Sequence, residues 1–136
     1  MNDLIERIEA ASGPDIELDR EIMLYSGYRY EQRDIGCRYE DGSVALDWVY
    51  VDIKTDKWRS THPLSFTASI DAALTLVPDG YSFNLGNDVK PWAHIWFDLP
   101  AYDGKPYEGR AATPALALCA AALKARAYLK ETNNAD

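Results

Sequence analysis

The segment that most constrains the fold is ATPALALCAAALKAR at residues 112–126. Thr113 is a natural N-cap, and Pro114 suits the first helical position because its φ is fixed and its missing N–H has no intrahelical partner there. The alanines allow this helix to lie close against a sheet. The stripe predicted to be buried is Leu116, Cys119, Ala120, Leu123 and Ala127.

A second capped apolar helix is predicted in TASIDAALTLVPDG at residues 67–80. Either Thr67 or Ser69 can cap this helix, and the Pro78-Asp79-Gly80 turn ends it. The sequence that follows alternates between apolar and polar residues, as expected for a hairpin. The predicted strands are residues 81–85 and 92–99, followed by a loop over residues 100–110.

The first 24 residues predict two short helices, at residues 3–11 and 15–24. From residue 25 the pattern changes to alternating aromatic and β-branched side chains, which is typical of strands. Asp41-Gly42 predicts a tight turn between two of these strands. A second polar turn is predicted at residues 54–57.

These elements predict an α+β protein with a mainly antiparallel sheet packed by helices, in an α/β/α-type sandwich. The length of 136 residues is that of one ordinary domain. Within a single domain at 1–136 we expect a helical lead-in at 1–24, a β-rich hairpin segment at 25–63 and a helix-hairpin-helix unit at 64–131.

The net charge of −8 argues against direct binding to nucleic acids and to anionic membranes, and it permits a basic protein partner. The same acidity also serves solubility. We expect no membrane span, since no apolar run approaches the length needed, and no secretory signal, since the first ten residues are charged throughout. The expected location is the cytoplasm, with both cysteines reduced.

Residues that could carry chemistry are sparse. His62 and His94 lie in different predicted elements without a second metal ligand at a suitable spacing, so no metal site, catalytic residue or cofactor is predicted. Cys119 is expected in the core, and Cys37 lacks a base that would make it reactive. The remaining alternative is acid/base chemistry by the carboxylates clustered around one predicted hairpin, which are Glu40, Asp41, Asp47, Asp52 and Asp56.

The aromatic residues are more informative. Their number exceeds what one small core must bury, and aromatic residues beside arginines are frequent anchors of protein interfaces. We therefore predict a partner-binding surface on the aromatic and acidic hairpin region. Its predicted residues are Tyr28, Tyr30, Asp47, Trp48, Asp52, Asp56, Trp58 and Arg59.

TASIDAALTLVPDG, the aromatic hairpin after it and ATPALALCAAALKAR together resemble the phage ABA sandwich domain, a family of phage and prophage proteins. The lead-in GPDIELDREI is similar to that of bacterial members. The resemblance covers about residues 1–24 and 65–128. It implies helices packed on a sheet and an origin in a phage or prophage, and it implies no activity, substrate, cofactor or catalytic residue.

Three functions are compatible with these observations. The first is a phage accessory protein that binds a host or phage protein without catalysis, for example to inhibit a host defence or nucleic-acid enzyme, in the cytoplasm of the bacterial host. The second is a structural or assembly protein of the phage, which would form homo-oligomers. The third is a small carboxylate-based hydrolase, which needs a pocket with converging carboxylates or histidines.

Overall fold

Four helices and six strands make up the part of the chain that the computed structural model describes, residues 2–97 and 106–134. All strand pairings are antiparallel, which confirms the predicted α+β class. In chain order the elements are α1 (Asn2–Ala10), α2 (Ile16–Tyr25), β1 (Tyr28–Arg38), β2 (Val44–Asp52), β3 (Trp58–Ser60), α3 (Ile70–Leu74), β4 (Tyr81–Asn87), β5 (Pro91–Phe97), β6 (Tyr107–Arg110) and α4 (Pro114–Asn134).

The chain divides into two compact units. Unit 1 consists of Met1–Leu18 and Ser65–Asp136, and unit 2 is the continuous segment Asp19–Leu64 inserted between them. Unit 1 contains the sheet β4-β5-β6, and unit 2 contains the sheet β1-β2-β3. The boundary falls inside α2, after Leu18.

Helix α4 forms the centre of unit 1, where it packs against α1, α3, β5 and β6. Thr113 caps it as predicted, because its Oγ1 accepts the backbone N–H of Leu116 at 3.2 Å. Every residue from Ala115 to Leu123 is buried, so the burial is not limited to the predicted stripe. A helix that is apolar on all sides is buried on all sides, and here alanine supplies the apolar surface between the leucines.

Strand β6 lies inside residues 100–110, which the sequence predicts as a loop. Its Gly109 pairs with Ala93 of β5 and passes directly beneath α4. The strand was missed because four residues next to a Pro- and Gly-containing segment give almost no alternation signal. The predicted strand end at Leu99 and the loop residues 100–105 lie outside the described residues.

Several hydrogen bonds connect the separate sequence segments of unit 1, and two of them join Asp15 to Thr67. The Asp15 backbone N–H donates to Thr67 Oγ1 at 2.9 Å, and the Thr67 hydroxyl lies 3.3 Å from the Asp15 carbonyl oxygen. Thr67 is thus a buried linking residue. Ser69 is the cap of α3, which ends at Leu74 and is shorter than predicted.

Unit 2 is built on the long hairpin of β1 and β2. The turn between them includes Asp41-Gly42, as predicted, and Gly42 has a φ of 87°, which favours glycine. Strand β3 follows the second predicted turn and pairs with β2 across a bulge. Among the described residues, no helix combines the length and apolar character that crossing a bilayer requires.

Candidate protein-binding surface

Tyr30, Trp48 and Tyr50 form an aromatic cluster on one face of the unit 2 sheet. Tyr30 pairs directly with Tyr50, and Trp48 is two residues from Tyr50 on β2, so strand alternation puts all three side chains on the same face. The ring centroids of Tyr30 and Trp48 are 5.2 Å apart in a stacked arrangement. Those of Tyr30 and Tyr50 are 4.6 Å apart and tilted.

The three rings differ in their exposure to solvent. Tyr50 is 3% exposed and forms the base of the cluster, whereas Tyr30 is 45% exposed and Trp48 is 48% exposed. Tyrosine and tryptophan rings bring a large apolar area to a contact at a small cost in conformational entropy. The two outer rings therefore present a rigid surface that a second molecule could cover.

An open cavity of about 420 Å³ lies beside this cluster. Arg20 of α2 supplies a positive charge to its lining, and His62 lies in the segment that follows β3. We call this cavity and the cluster the aromatic cleft. Its lining residues are Arg20, Tyr30, Asp47, Trp48, Tyr50, Thr61, His62 and Pro63.

The opposite face of the sheet carries an ion-pair cluster centred on Asp56. Arg33 donates from Nη1 to the Asp56 carbonyl oxygen and from Nη2 to Asp56 Oδ1, both at 2.7 Å. Arg29 donates to the same carboxylate, and both arginines also pair with Glu31. The hydrogen bonds from Arg33, and then from Arg29, hold the pKa of the Asp56 carboxyl below its ordinary range.

The structure separates the acidic residues that the sequence groups together. Asp56 is neutralised by two arginines, and Asp52 Oδ1 accepts the backbone N–H groups of Lys54 and Thr55 in the following turn. Asp47 is in the lining of the cleft, where its Oδ1 accepts the backbone N–H of Trp48 at 2.9 Å. One acid of the three predicted thus lies in the aromatic cleft.

The remaining predicted residues also divide between the two faces. Tyr28 pairs with Asp52 and lies on the face of Trp48, and Arg59 Nη1 is 3.5 Å from the Tyr28 hydroxyl. Trp58 pairs with Val51, which places it on the opposite face from Trp48, and it is 44% exposed. Trp48 and Trp58 are therefore similarly exposed tryptophans on opposite faces of one sheet.

Sequence reasoning missed Arg20, Thr61 and Pro63 of the cleft and considered His62 as a potential metal ligand or, with His94, as part of an enzyme pocket. Arg20 is one of several charged residues in α2, and nothing in its spacing marks it as part of a site. Thr61 and Pro63 belong to an irregular segment that has no periodic pattern. These residues join the aromatic cluster through tertiary structure, which no local signal encodes.

The other candidate residues are dispersed over the two units. His94 lies on β5 of unit 1, where its Nε2 is 3.1 Å from Glu108 Oε2. The Cys119 thiol is buried and donates to the Phe66 carbonyl oxygen at 3.2 Å, while Cys37 is exposed. Over residues 2–97 and 106–134, no group of three or more His, Cys, Asp or Glu side chains is arranged to hold a metal ion.

Comparison with known proteins gives one partial similarity. No family model and no solved structure matches the chain. A stretch of 85 residues is 33% identical to a protein of Salinibacter ruber described as a UPF0173 metal-dependent hydrolase. The stretch covers 62% of this chain and 34% of the relative, so the match spans about a third of the relative's length and does not establish a family.

Proposed function

We propose that this protein acts without catalysis, by binding another protein through the aromatic cleft. The observation that carries the proposal is the pair of stacked rings of Tyr30 and Trp48, each about half exposed, beside an open cavity. Interface anchors are enriched in tyrosine, tryptophan and arginine, and all three residue types are present in the lining of this cleft.

The proposed partner is a basic protein. The net charge of −8 speeds the encounter with a positively charged surface and slows the encounter with nucleic acids. At the cleft itself, the exposed faces of Trp48 and Tyr30 suit a lysine or arginine of the partner, because aromatic rings attract cations. Asp47 also belongs to the lining of the cleft.

The biological setting is part of the same proposal. On the resemblance to the phage ABA sandwich domain, we assign the protein to a phage or prophage and to the cytoplasm of the bacterial host. An enzyme that acts on nucleic acid has the basic surface that an acidic inhibitor can recognise. The proposed role is therefore that of an accessory protein that binds a host or phage protein, with inhibition of a host defence or nucleic-acid enzyme as its outcome.

The two exposed tryptophans of unit 2 provide a matched test. Tagged wild type, Trp48→Ala and Trp58→Ala are used to capture proteins from lysate of the bacterial host, after circular dichroism has shown that all three fold alike. We expect wild type and Trp58→Ala to capture the same basic protein and Trp48→Ala to lose it.

The affinity of the purified partner is then measured by calorimetry against each variant. Truncation of an interface anchor costs about 2 kcal/mol or more, so binding to Trp48→Ala should be weaker by a factor of at least about thirty. Equal affinity for Trp48→Ala and wild type would overturn the proposed binding surface, because it would show that the aromatic cleft is not part of the contact.

Metal-dependent hydrolysis is a second candidate, supported by the partial similarity to the Salinibacter ruber protein. Residues 2–97 and 106–134 do not fit it, since they bring together no group of three or more His, Cys, Asp or Glu side chains that could hold a metal ion. The two histidines, His62 and His94, belong to different units of the chain. Turnover of phosphate-ester or glycoside substrates by the purified protein with added divalent metal would favour this candidate over the binding role.

A further inference from the structure

Strand β4 lies at an edge of the unit 1 sheet that the described residues form, and the strand itself carries none of the sequence features by which proteins protect such edges. Its seven residues, YSFNLGN, include no charged residue and no proline. It pairs with β5 in continuous register from Tyr81↔Phe97 to Asn87↔Pro91, without a bulge. Edge strands that avoid further pairing are usually short, charged, bulged or interrupted by proline.

The other three edge strands among the described residues show that contrast. Strand β1 carries charges at Arg29, Glu31, Arg33, Asp34 and Arg38 and has an irregular register toward its end. Strand β3 has three residues, and β6 has four, including Glu108 and Arg110. The long, regular and uncharged edge is therefore a specific feature of β4.

The side chains of β4 are distributed so that a neighbouring strand would improve their packing. Phe83 and Leu85 pair with Ile95 and Ala93, which are buried on the face that α4 covers. Phe83 is nevertheless 45% exposed, because α4 lies mainly over β5 and β6. A further strand beside β4 would cover this ring.

We propose that β4 pairs with β4 of a second copy of this chain, antiparallel about Asn84. In this register Asn84 faces Asn84 of the second copy, and Phe83 faces Leu85 twice. The pairing creates two apolar contacts on the helix-covered face and brings no like charges together, despite the net charge of −8.

The result is a continuous six-stranded antiparallel sheet, with both copies of α4 on the same face. A two-fold axis relates the copies, as in most homodimers. One added strand pair buries little area, so the dimer is expected to be weak and to form in the micromolar range. This inference goes beyond the binding of a partner at the aromatic cleft, which involves unit 2 and does not depend on it.

The test uses charge at the predicted centre of symmetry. Sedimentation velocity is measured for wild type, Asn84→Lys, Asn84→Asp and the control Val89→Lys over a series from micromolar to several hundred micromolar. Val89 is almost fully exposed in the turn after β4, so this control adds the same charge to unit 1 outside the strand. Circular dichroism establishes that all variants are folded.

We expect wild type and Val89→Lys to form dimers, and each Asn84 variant alone to remain monomeric because like charges face each other. An equimolar mixture of Asn84→Lys and Asn84→Asp should dimerise again, since opposite charges then meet across the axis. A wild type that stays monomeric throughout the series, a dimer that Asn84→Lys leaves intact, or a mixture that remains monomeric would each overturn the proposal.

Discussion

Gly109 of β6 lies so close beneath Ala117 of α4 that a Cβ atom on the glycine would overlap the carbonyl oxygen of Ala117. The same atom would lie 2.7 Å from the amide nitrogen of Ala121 and 3.0 Å from the Cβ of Ala120. Two of these three atoms belong to the backbone of the central helix. Neither can move without displacing α4, so the packing of the sheet on this helix requires glycine at position 109.

Gly109→Ala should therefore lower the free energy of unfolding by about 3 kcal/mol, the upper part of the usual range for overpacked sites. Urea denaturation followed by circular dichroism measures this change. Gly13→Ala is the matched control, because a Cβ there meets nothing within 4 Å, and it should leave stability almost unchanged. A midpoint for Gly109→Ala equal to that of the control would contradict the close approach.

Gly86→Ala should perturb a side chain and leave the backbone in place. Trp92 of β5 pairs with Gly86, and its ring lies over the glycine. A Cβ at position 86 would overlap this ring. The ring can rotate away, so we expect a loss of about 1 kcal/mol, at the low end of the range for overpacking. The near-ultraviolet circular dichroism of tryptophan should change, and an unaltered spectrum would show that Trp92 does not cover Gly86.

Lys124→Met should weaken the connection of α4 to β6 and α1. Lys124 Nζ donates to the Glu108 carbonyl oxygen at 2.6 Å and to Glu9 Oε2 at 3.3 Å, while methionine keeps most of the apolar stem. We expect a loss of about 2 kcal/mol in the free energy of unfolding, typical of hydrogen bonds from a charged donor. Lys90→Met, in the exposed β4–β5 turn, serves as the control, and equal losses in the two variants would contradict the assigned role.

Asp56→Asn tests the ion-pair cluster of unit 2. Asp56 has a φ of 60°, which asparagine also tolerates, so the substitution removes the charge without new backbone strain. Because the folded pKa of Asp56 is depressed, its stabilising contribution is fully present above the unfolded pKa of about 4. That contribution is lost as the pH falls through the lower pKa of the folded form.

Wild type should accordingly be more stable than Asp56→Asn near neutral pH, and the two should converge in acid. Denaturation at a series of pH values measures the difference, and carboxyl chemical shifts report the titration of Asp56 directly. Titration of the folded carboxyl in the ordinary aspartate range would show that Arg33 and Arg29 do not stabilise its charged form.

Local sequence signals were sufficient to predict the elements that begin or end at characteristic capping and turn residues. Thr113-Pro114 and Asp41-Gly42 specify a helix start and a tight turn through the chemistry of the backbone itself, and both are found in the structure. The full burial of α4 was harder to predict from the sequence, because alanine on every side of the helix gives little contrast between an apolar and a polar face. Strand β6 is too short to show alternation.

The candidate site could be predicted from the sequence only in part, because it depends on the register of the strands. Trp48 and Trp58 both lie in predicted strand segments, yet the pairing of Trp58 with Val51 across a bulge places them on opposite faces. A shift of one residue exchanges the faces of a strand, and sequence alone does not determine such a shift. Asp56 was likewise predicted as an exposed acid, and its arginine partners lie 27 and 23 residues away along the chain.

The split arrangement of unit 1 also determines when this unit can be completed on the ribosome. Glu9 and Lys124 are 115 residues apart, so at an elongation rate of about ten residues per second roughly ten seconds separate the synthesis of α1 from that of its partner helix. During this interval the apolar side chains of Leu4, Ile5 and Ile8 leave the exit tunnel without α4, whereas the 19–64 segment already holds both strands of its hairpin. Until α4 has been synthesised, the apolar face of α1 therefore lacks the helix that covers it in the folded unit.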